Sequence, residues 1–355
     1  MNGDGKVDLI SANANSGTLT VLTNNGGGKF VRSSTLNLTS PRSLVMLDVN
    51  GDGLVDLIVS CGPLTLFTNA GHGSFATGAP LPLPPSGFSW FAVAADVNGD
   101  GKPDLIDLDG ANNGTFAYLR VLTNSGNGTF TLCSTNTLAT TFPGSLTAID
   151  VNGNGKVALI VSDYSSGSGN TLEMLTNNGS GIFSSNATYA VGNGPRNAIA
   201  ADVNGDGKQD LINANLSGTL TILTNNGSGG FGSNATLNVG PLALSVAAAD
   251  VNGDGKLDLV SANDGNNTLS VLINASSFPT PTSTPILNIS PQAGGLFVSW
   301  PSASAGWSLQ QNSDLTAINW SPSGYAGHAI SDDGTNKSLV ITPPAGNLFF
   351  RLSHP

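Results

Sequence analysis

One nine-residue pattern recurs along this chain at intervals of 48 to 54 residues. At residues 202–210 it reads Asp-Val-Asn-Gly-Asp-Gly-Lys-Gln-Asp, with oxygen-bearing side chains at positions 1, 3, 5 and 9 and glycines at positions 4 and 6. Close copies begin at Asp48, Asp96, Asp150 and Asp250, and a copy that lacks position 1 opens the chain. Recurrence at a period near 50 residues predicts a protein assembled from successive similar units.

The spacing of the oxygen atoms is typical of a loop that wraps a hard cation. Alternate residues point the same way, so positions 1, 3 and 5 converge, and glycine at position 6 supplies a sharp turn. A backbone carbonyl near position 7 and the carboxylate at position 9 then close an all-oxygen shell, which suits Ca²⁺ better than Mg²⁺. The predicted metal ligands are Asp48, Asn50, Asp52, Asp56, Asp96, Asn98, Asp100, Asp104, Asp202, Asn204, Asp206, Asp210, Asp250, Asn252, Asp254 and Asp258.

Two copies depart from this pattern. The ligand positions of the fourth copy are held by Asp150, Asn152, Asn154 and Ala158. This set has one carboxylate where the intact copies have three, so we expect the turn to persist without an ion. The first copy supplies a partial set, Asn2, Asp4 and Asp8. The sequence therefore predicts about four Ca²⁺ sites, with a fifth, partial site in the first loop.

The pattern differs from an EF-hand, which needs a glutamate at position 12 and a helix on either side. Position 12 is occupied by Val59, Asp107, Val161, Asn213 or Ser261. Glu173 is the single glutamate of the chain, and the segments that follow the loops are short and β-branched. Because good helix formers are scarce, we expect the loop to join two strands.

Each repeat contains four candidate strands. In the fifth repeat, one precedes the loop at residues 197–202, one follows it at 210–214, and one alternates at 219–223. A fourth follows a glycine-rich turn that ends in Phe231. Successive four-stranded units without helices predict an all-β chain, a β-propeller of about six blades. The first blade is incomplete because the strand before its loop is missing.

These motifs resemble FG-GAP/VCBS repeats, the units of integrin-α-like propellers and of many bacterial surface proteins. The resemblance rests on Asp-Val-Asn-Gly-Asp-Gly-Lys-x-Asp-Leu, on the Gly-x-Phe turn, and on the Gly-Pro steps at Pro195 and Pro241. It covers residues 1–275 and implies one Ca²⁺ in each intact loop, on one face of the propeller.

The chain beyond the repeats has a different composition. Three prolines within residues 276–285 predict a semi-rigid linker, although Phe278 falls where an edge strand of the last blade would begin. Residues 286–355 contain three of the four tryptophans in short alternating segments, which predicts a small β-sandwich with Trp300 and Trp320 in its core. This part is similar to the immunoglobulin- or fibronectin-III-like modules of secreted bacterial proteins.

The acidity of the chain is explained by the loops. The formal net charge is −11, but 15 of the 22 aspartates lie inside the repeated pattern. Nothing is basic enough for nucleic acid, and no apolar run is long enough to span a membrane. We expect a monomer. The opening of the chain within a loop predicts a fragment of a longer protein.

No catalytic constellation is evident. His72, His328 and His354 lie far apart, and the lone glutamate excludes a glutamate pair for glycoside hydrolysis. We interpret Asp107 and Asp109 as turn residues. The two cysteines, Cys61 and Cys133, are interpreted as small buried hydrophobes, and residues 88–91 as inner-strand core or, alternatively, a binding platform.

The combined pattern predicts a calcium-binding module of the cell surface or the extracellular space, without catalytic activity. It would act in adhesion or binding, with an extracellular protein or a glycan as its ligand. Two alternatives stay open. One is a lectin-like, carbohydrate-binding propeller. The other is the non-catalytic part of a secreted polysaccharide-degrading enzyme whose catalytic domain lies upstream.

Overall fold

The computed structural model describes residues 2, 4–62, 64–78, 81–83, 88–110, 116–140, 142–276, 287–292, 295–302, 308–312, 330–333, 335–341 and 349–353. The chain divides into two compact units. The first comprises residues 1–201, 209–248 and 259–272, and the second comprises residues 202–208, 249–258 and 273–355.

The repeats form six successive antiparallel sheets whose strands follow one another in chain order. Sheet 1 contains β1 (Leu9–Asn13), β2 (Thr18–Asn24) and β3 (Phe30–Asn37). Sheet 2 contains β4 (Ser43–Leu47), β5 (Asp56–Ser60), β6 (Leu64–Asn69) and β7 (Phe75–Thr77). Sheet 3 contains β8 (Phe88–Ala95), β9 (Asp104–Gly110), β10 (Ala117–Asn124) and β11 (Phe130–Leu138).

The later repeats have the same order. Sheet 4 contains β12 (Pro143–Ile149), β13 (Ala158–Asp163), β14 (Thr171–Asn177) and β15 (Phe183–Ala190). Sheet 5 contains β16 (Pro195–Ala201), β17 (Asp210–Asn215), β18 (Thr219–Asn225) and β19 (Phe231–Asn238). Sheet 6 contains β20 (Ala243–Ala249), β21 (Asp258–Asn263) and β22 (Thr268–Leu272). The prediction of repeated small antiparallel sheets is confirmed, and sheet 1 begins with the strand that follows its loop.

Helical structure is almost absent from the described residues. It is limited to two 3-10 turns, Ser165–Gly167 and Asp264–Asn266. None of the described segments is a helix long and apolar enough to cross a membrane.

Adjacent sheets pack through the alternating third strand of each repeat. In sheet 3, Leu119 and Val121 of β10 lie in one apolar cluster with Leu159, Val161 and Phe183 of sheet 4. Successive residues of a strand point to opposite faces, so Leu119 and Val121 lie on the same face, which is turned to the next sheet. The equivalent two positions have this orientation in the third strand of each repeat. The residues at the first of these positions in sheets 1 to 5 are Leu19, Leu64, Leu119, Leu172 and Leu220, and all are buried.

The same position in sheet 6 has a different environment. Leu269 is 69% exposed and Val271 is 55% exposed, whereas Leu119 and Val121 are both 0% exposed. Both strands carry the same Leu-x-Val-Leu pattern, so the difference in burial arises from the neighbouring sheet and not from the strand itself.

Two further sheets are formed by the residues after the repeats. Sheet 7 has the strand order β23 (Asn288–Gln292), β24 (Gly295–Pro301), β27 (Asn336–Ile341) and β26 (Ser331–Asp332). Sheet 8 pairs β25 (Ser308–Asn312) with β28 (Phe349–Ser353). Both sheets contribute to one core with Val298, Trp300, Leu309 and Leu339 at its centre. Two sheets over a shared core agree with the predicted sandwich, while its immunoglobulin-like identity stays a prediction.

Some predictions concern residues outside the described ranges. They include Trp320, Phe278, and the linker beyond residue 276. Trp300 is within the described ranges and is 2% exposed, as predicted for a core residue.

Asp107 and Asp109 were predicted to lie in a turn, and this prediction is wrong. Both lie in strand β9, where they are buried beside Arg120 of the adjacent strand β10. The Arg120 Nη1 atom is 3.5 Å from Oδ2 of Asp107 and hydrogen-bonds to Oδ2 of Asp109. Two carboxylates thus share one guanidinium. Burial raises the pKa of Asp107 to about 6, despite the opposing effects of Ser89 and Arg120.

The prediction for the cysteines is half right. Cys61 is buried, in the apolar cluster between sheets 1 and 2, whereas Cys133 is exposed on β11. Both are thiols and not a disulfide.

We expect the packing between sheets to dominate stability. Leu119→Ala should lower the free energy of unfolding by about 2–5 kcal/mol because it leaves a cavity in a fully buried interface. The matched control is Leu269→Ala, the equivalent but exposed position in sheet 6, which should change it by no more than about 0.5 kcal/mol. Urea unfolding followed by circular dichroism measures both. Equal losses in the two variants would contradict this account of the interface.

The buried Asp107 should make stability depend on pH. Its pKa is about 6 in the folded protein and 3.8 ordinarily, so between these values the folded protein binds a proton that the unfolded chain does not. Stability contributed by this group therefore falls as pH rises through that window. Asp107→Asn removes the titration. Between pH 4 and pH 7 the free energy of unfolding of the variant, relative to that of the wild type, should rise by on the order of 3 kcal/mol. Chemical unfolding at several pH values tests this, and a constant difference would refute it.

Candidate calcium-binding loops

In sheets 2 to 6 the predicted loops join the first and second strands, and the partial loop of sheet 1 precedes β1. Since the strands alternate in direction, the turns between the third and fourth strands lie at the same end, which we call the loop end. In sheet 2 the loop begins at Asp48, directly after β4, and its position 9, Asp56, is the first residue of β5. Loop and strand are thus continuous, as the sequence predicted.

Backbone amides orient the oxygen atoms at positions 1, 3 and 5. In the first intact loop, Oδ1 of Asp48 accepts the Gly51 N–H at 2.7 Å and Oδ2 accepts the Gly53 N–H at 2.8 Å. Asn50 accepts the Asp52 N–H at 3.0 Å, and Asp52 accepts the N–H of position 7 at 2.7 Å. These bonds require both glycines to adopt positive φ, 78° for Gly51 and 83° for Gly53.

The other intact loops repeat the arrangement. The position-1 carboxylates of Asp96, Asp202 and Asp250 each accept the N–H groups of positions 4 and 6 at 2.7 Å and 2.8 Å. At position 3, Asn98, Asn204 and Asn252 each accept the N–H of position 5 at 2.9 Å. At position 5, Asp100, Asp206 and Asp254 accept the N–H of position 7. The predicted ligands therefore stand in equivalent places in all four loops.

These hydrogen bonds lower the pKa of two position-1 carboxylates, Asp48 and Asp250. Burial alone would raise the pKa of Asp48, but hydrogen bonds from the Gly53 and Gly51 amides outweigh it and lower the pKa. The Gly255 amide does the same for Asp250, where it is the largest cause of a lowered pKa. These two loops thus present anionic oxygen at neutral pH.

The aspartate at position 9 has a second function, which is to fasten the loop to its sheet. Asp56 is 0% exposed, and it accepts the Val49 N–H at 3.0 Å through Oδ2 and the Asn69 N–H at 2.7 Å through Oδ1. Val49 is position 2 of the loop, and Asn69 ends the third strand. Burial raises the pKa of Asp56, and Asp52 and Asp48 add to this effect.

The same buried carboxylate occurs in three further sheets. Asp104 accepts from Val97 and Asn124, and Asp258 accepts from Val251 and Asn274. Asp210, also 0% exposed, accepts the N–H of Asn225 at 2.9 Å. In sheet 4 the buried methyl group of Ala158 stands in its place.

A recurring asparagine links three of the loops to the next sheet. Asn225, at the end of β18 in sheet 5, donates from Nδ2 to the carbonyl of Val151, position 2 of the sheet 4 loop, at 3.0 Å. Asn177 donates likewise to Val97 at 2.8 Å, and Asn274 to Val203 at 2.8 Å. The asparagine begins the glycine-rich turn between the third and fourth strands, and the turn alone does not predict this link. The signal that it does more was its recurrence at the first position of every glycine-rich turn.

The fourth and first loops retain the turn. Asp150 accepts the Gly153 N–H at 2.9 Å and the Gly155 N–H at 2.7 Å, so the turn persists with a single carboxylate, as predicted. In the first loop, Asn2 accepts the Asp4 N–H at 3.2 Å, and Asp8 accepts the Asn24 N–H at 2.8 Å. The partial first set therefore has the same backbone arrangement.

The donor set of the intact loops fits a hard cation. It consists of carboxylate and amide oxygens, and each carboxylate has about four acceptor sites, of which the amides use only some. Across the described part of the chain, no three acidic, histidine or cysteine side chains form a ready-made metal cluster. The loop oxygens instead accept backbone N–H groups, which fix their direction.

Comparison with known proteins places the repeats in a family. The sequence model of the FG-GAP-like repeat matches residues 1–59, 48–106, 150–213 and 202–261, together more than half of the chain. A search of curated protein sequences finds no match.

Solved structures share the fold at low sequence identity. Two crystal structures of BBS1N in complex with ARL6DN are similar to this chain, with TM-scores of 0.52 and 0.53 and sequence identities of 12% and 13%. Each match covers 98% of this chain and 91% of that chain. A functionally unknown protein from Desulfotomaculum acetoxidans DSM 771 has a TM-score of 0.51 and 12% identity, covering 74% of this chain and 78% of that one. The pattern, the sheets and the matches lead to one conclusion: the chain belongs to the FG-GAP-like repeat family, and its repeats have the β-propeller fold.

Proposed function

We propose that this protein is a calcium-stabilised binding module that acts outside the cell and has no catalytic activity. The observation that carries the proposal is the hydrogen-bond arrangement repeated in four loops, where backbone amides direct three carboxylates and one amide oxygen per loop. Keeping several like charges in one short loop costs free energy unless a cation or protons neutralise them. A bound Ca²⁺ supplies that neutralisation.

The ions are held by the loops that begin at Asp48, Asp96, Asp202 and Asp250. Positions 1, 3, 5 and 9 provide the side-chain oxygens, and the partial first loop adds Asn2, Asp4 and Asp8. The loop at Asp150 keeps its turn and holds no ion, because two of its three carboxylates are replaced. The metal is structural, since position 9 also joins the loop to the second strand and to the hairpin turn.

The binding role is supported by the fold and by one structural neighbour. BBS1N, which shares the fold, was solved in complex with a protein partner, ARL6DN. Because these loops lack the bidentate glutamate of an EF-hand, we expect them to bind Ca²⁺ in the range of extracellular modules, about 10⁻⁴–10⁻³ M. Cytosolic calcium would leave such loops empty, which favours the cell surface or the extracellular space. The ligand of the module is an extracellular protein or a glycan.

Restoring the carboxylates of the fourth loop should create a calcium site. In the double variant Asn154→Asp, Ala158→Asp, the new position-9 carboxylate takes the place that Asp56 has in sheet 2. Asp56 accepts the N–H groups of Val49 and Asn69, and the equivalent donors in sheet 4 are Val151 and Asn177. Calorimetric titration should give one site more than the wild type. The matched control, Asn154→Asp with Ala158→Asn, has nearly the same shape without the second charge. If the double aspartate variant folds and gains no site, the carboxylate argument fails.

Chelation should destabilise the repeats selectively. At about 20 times Kd, calcium that binds only the folded state stabilises it by about 1.8 kcal/mol per loop. Hydrogen exchange of the full chain is measured with calcium and with EGTA. Amides of sheets 2 and 3 should exchange faster in EGTA, above all the Val49 and Asn69 N–H groups, which donate to Asp56. Sheets 7 and 8 contain no such loop and serve as the internal control. Unchanged exchange in sheets 2 and 3 would mean that the turns alone hold the loops.

A further inference from the structure

The end of the sheets opposite the calcium loops carries its own recurring position. This is the residue six places before the first aspartate of each loop, at the start of the first strand. In sheets 2 to 6 it is held by Arg42, Trp90, Gly144, Arg196 and Leu244. Because the loops and glycine-rich turns occupy the loop end, these residues lie at the other end of their strands.

At two of these positions a β-bulge turns the side chain out of the regular pleat. In sheet 3 the pairing passes from Ser89 with Asp109 to Phe91 with Leu108, so Trp90 is the extra, unpaired residue. In sheet 5 the pairing passes from Pro195 with Asn215 to Asn197 with Ala214, so Arg196 is the extra residue. Bulges re-aim a side chain and are frequent beside functional sites.

Contacts between neighbouring sheets form two groups of these residues, and a backbone hydrogen bond in sheet 4 connects the two groups. The Arg42 guanidinium lies 5.4 Å from the centre of the Trp90 ring, and the Trp90 and Phe142 rings are 5.9 Å apart. The Phe142 carbonyl accepts the N–H of Ser165, the residue after Tyr164, at 3.1 Å. The Arg196 guanidinium in turn lies 4.6 Å from the Tyr164 ring. We call Arg42, Trp90, Phe142, Tyr164 and Arg196 the arginine–aromatic stripe.

In sheet 4 the recurring position cannot carry a side chain. A Cβ atom on Gly144 would lie 2.1 Å from the carbonyl oxygen of Pro195. Phe142 and Tyr164 supply the aromatic surface of this sheet instead. All three rings of the stripe are partly exposed, and Arg42 is exposed.

The stripe differs in charge from the rest of the repeats. The lysines at position 7 of the loops and Lys29 all lie at the loop end. Arg120, in the middle of β10, is buried and shared by Asp107 and Asp109. Arg42 and Arg196 are therefore the accessible cations of the opposite end among the described residues. The nearby Asp163 accepts the hydroxyl groups of Thr140 and Ser165.

The chemistry of the stripe indicates the class of its ligand. Guanidinium groups held over aromatic rings keep a planar fork of donors for carboxylate or sulfate groups. Flat rings in a row offer apolar faces to successive sugar rings. An extended peptide would instead require a sheet edge or alternating pockets. Strained positive-φ serines, Ser40 at 48° and Ser166 at 56°, flank the stripe, and such strain is concentrated at functional sites.

We propose that the arginine–aromatic stripe is a binding site for an acidic polysaccharide that bears carboxylate or sulfate groups. The inference rests on the proposed function as a binding module, and it names the surface and the ligand class. The formal net charge is −11 without calcium, and the +8 of four Ca²⁺ ions would change it to about −3, so the two arginines are the feature that attracts a polyanion to this end.

Affinity electrophoresis of the full chain tests the proposal. Polygalacturonate or dextran sulfate in the gel should retard the protein, and neutral dextran should not; the two acidic polymers distinguish carboxylate from sulfate. The double variant Arg42→Gln, Arg196→Gln should bind about tenfold more weakly or worse, because two charge-assisted contacts are lost. The matched control, Lys29→Gln with Arg32→Gln, makes the same change in net charge on exposed residues of sheet 1 and should bind like the wild type. Tyr164→Leu, which removes a ring without changing charge, should also weaken binding.

Three outcomes would overturn the proposal: no retardation by either acidic polymer, equal loss in the stripe variant and its control, or equal retardation by poly-glutamate, which would indicate an acidic peptide. The calcium-dependent rise in melting temperature, measured for the same proteins, reports separately on the loops. If calcium does not raise the melting temperature while polysaccharide binding is intact, the calcium proposal is refuted and the proposal for the stripe is not affected.

Discussion

The repeats depend on one buried group, the aspartate at position 9 of the loop pattern. In Asp56, Asp104 and Asp258 both carboxylate oxygens accept backbone N–H groups, one from the start of the loop and one from the asparagine that ends the third strand. A buried carboxylate costs free energy unless such bonds are made. In these repeats one side chain therefore connects the loop, the second strand and the hairpin turn.

The fourth repeat separates the shape of the loop from its charge. Asp150 makes the same bonds to two glycine amides as the intact loops, although Ala158 replaces the buried carboxylate. The turn is thus specified by position 1 and the glycines, which act within six residues of one another. The carboxylates at positions 5 and 9 add charge and the connection to the hairpin, which the turn itself does not need.

Features governed by short-range spacing could be predicted from the sequence. The loops, the strands that flank them and the repetition of small sheets all follow from patterns that span fewer than 15 residues. Asp107 and Asp109 were assigned to a turn because their partner, Arg120, lies on another strand and leaves no local mark. The bulges at Trp90 and Arg196 depend on the register with a neighbouring strand, so their outward direction was equally hidden.

The asparagine that joins a loop to the next sheet has a consequence for how such a chain lengthens. Sheets 4 and 5 each bring both halves of the connection: a side-chain amide for the loop behind, and a position-2 carbonyl for the asparagine ahead. A tandem duplication of either repeat therefore restores this hydrogen bond at the new junction. Gene duplication can add such a sheet without inventing this contact.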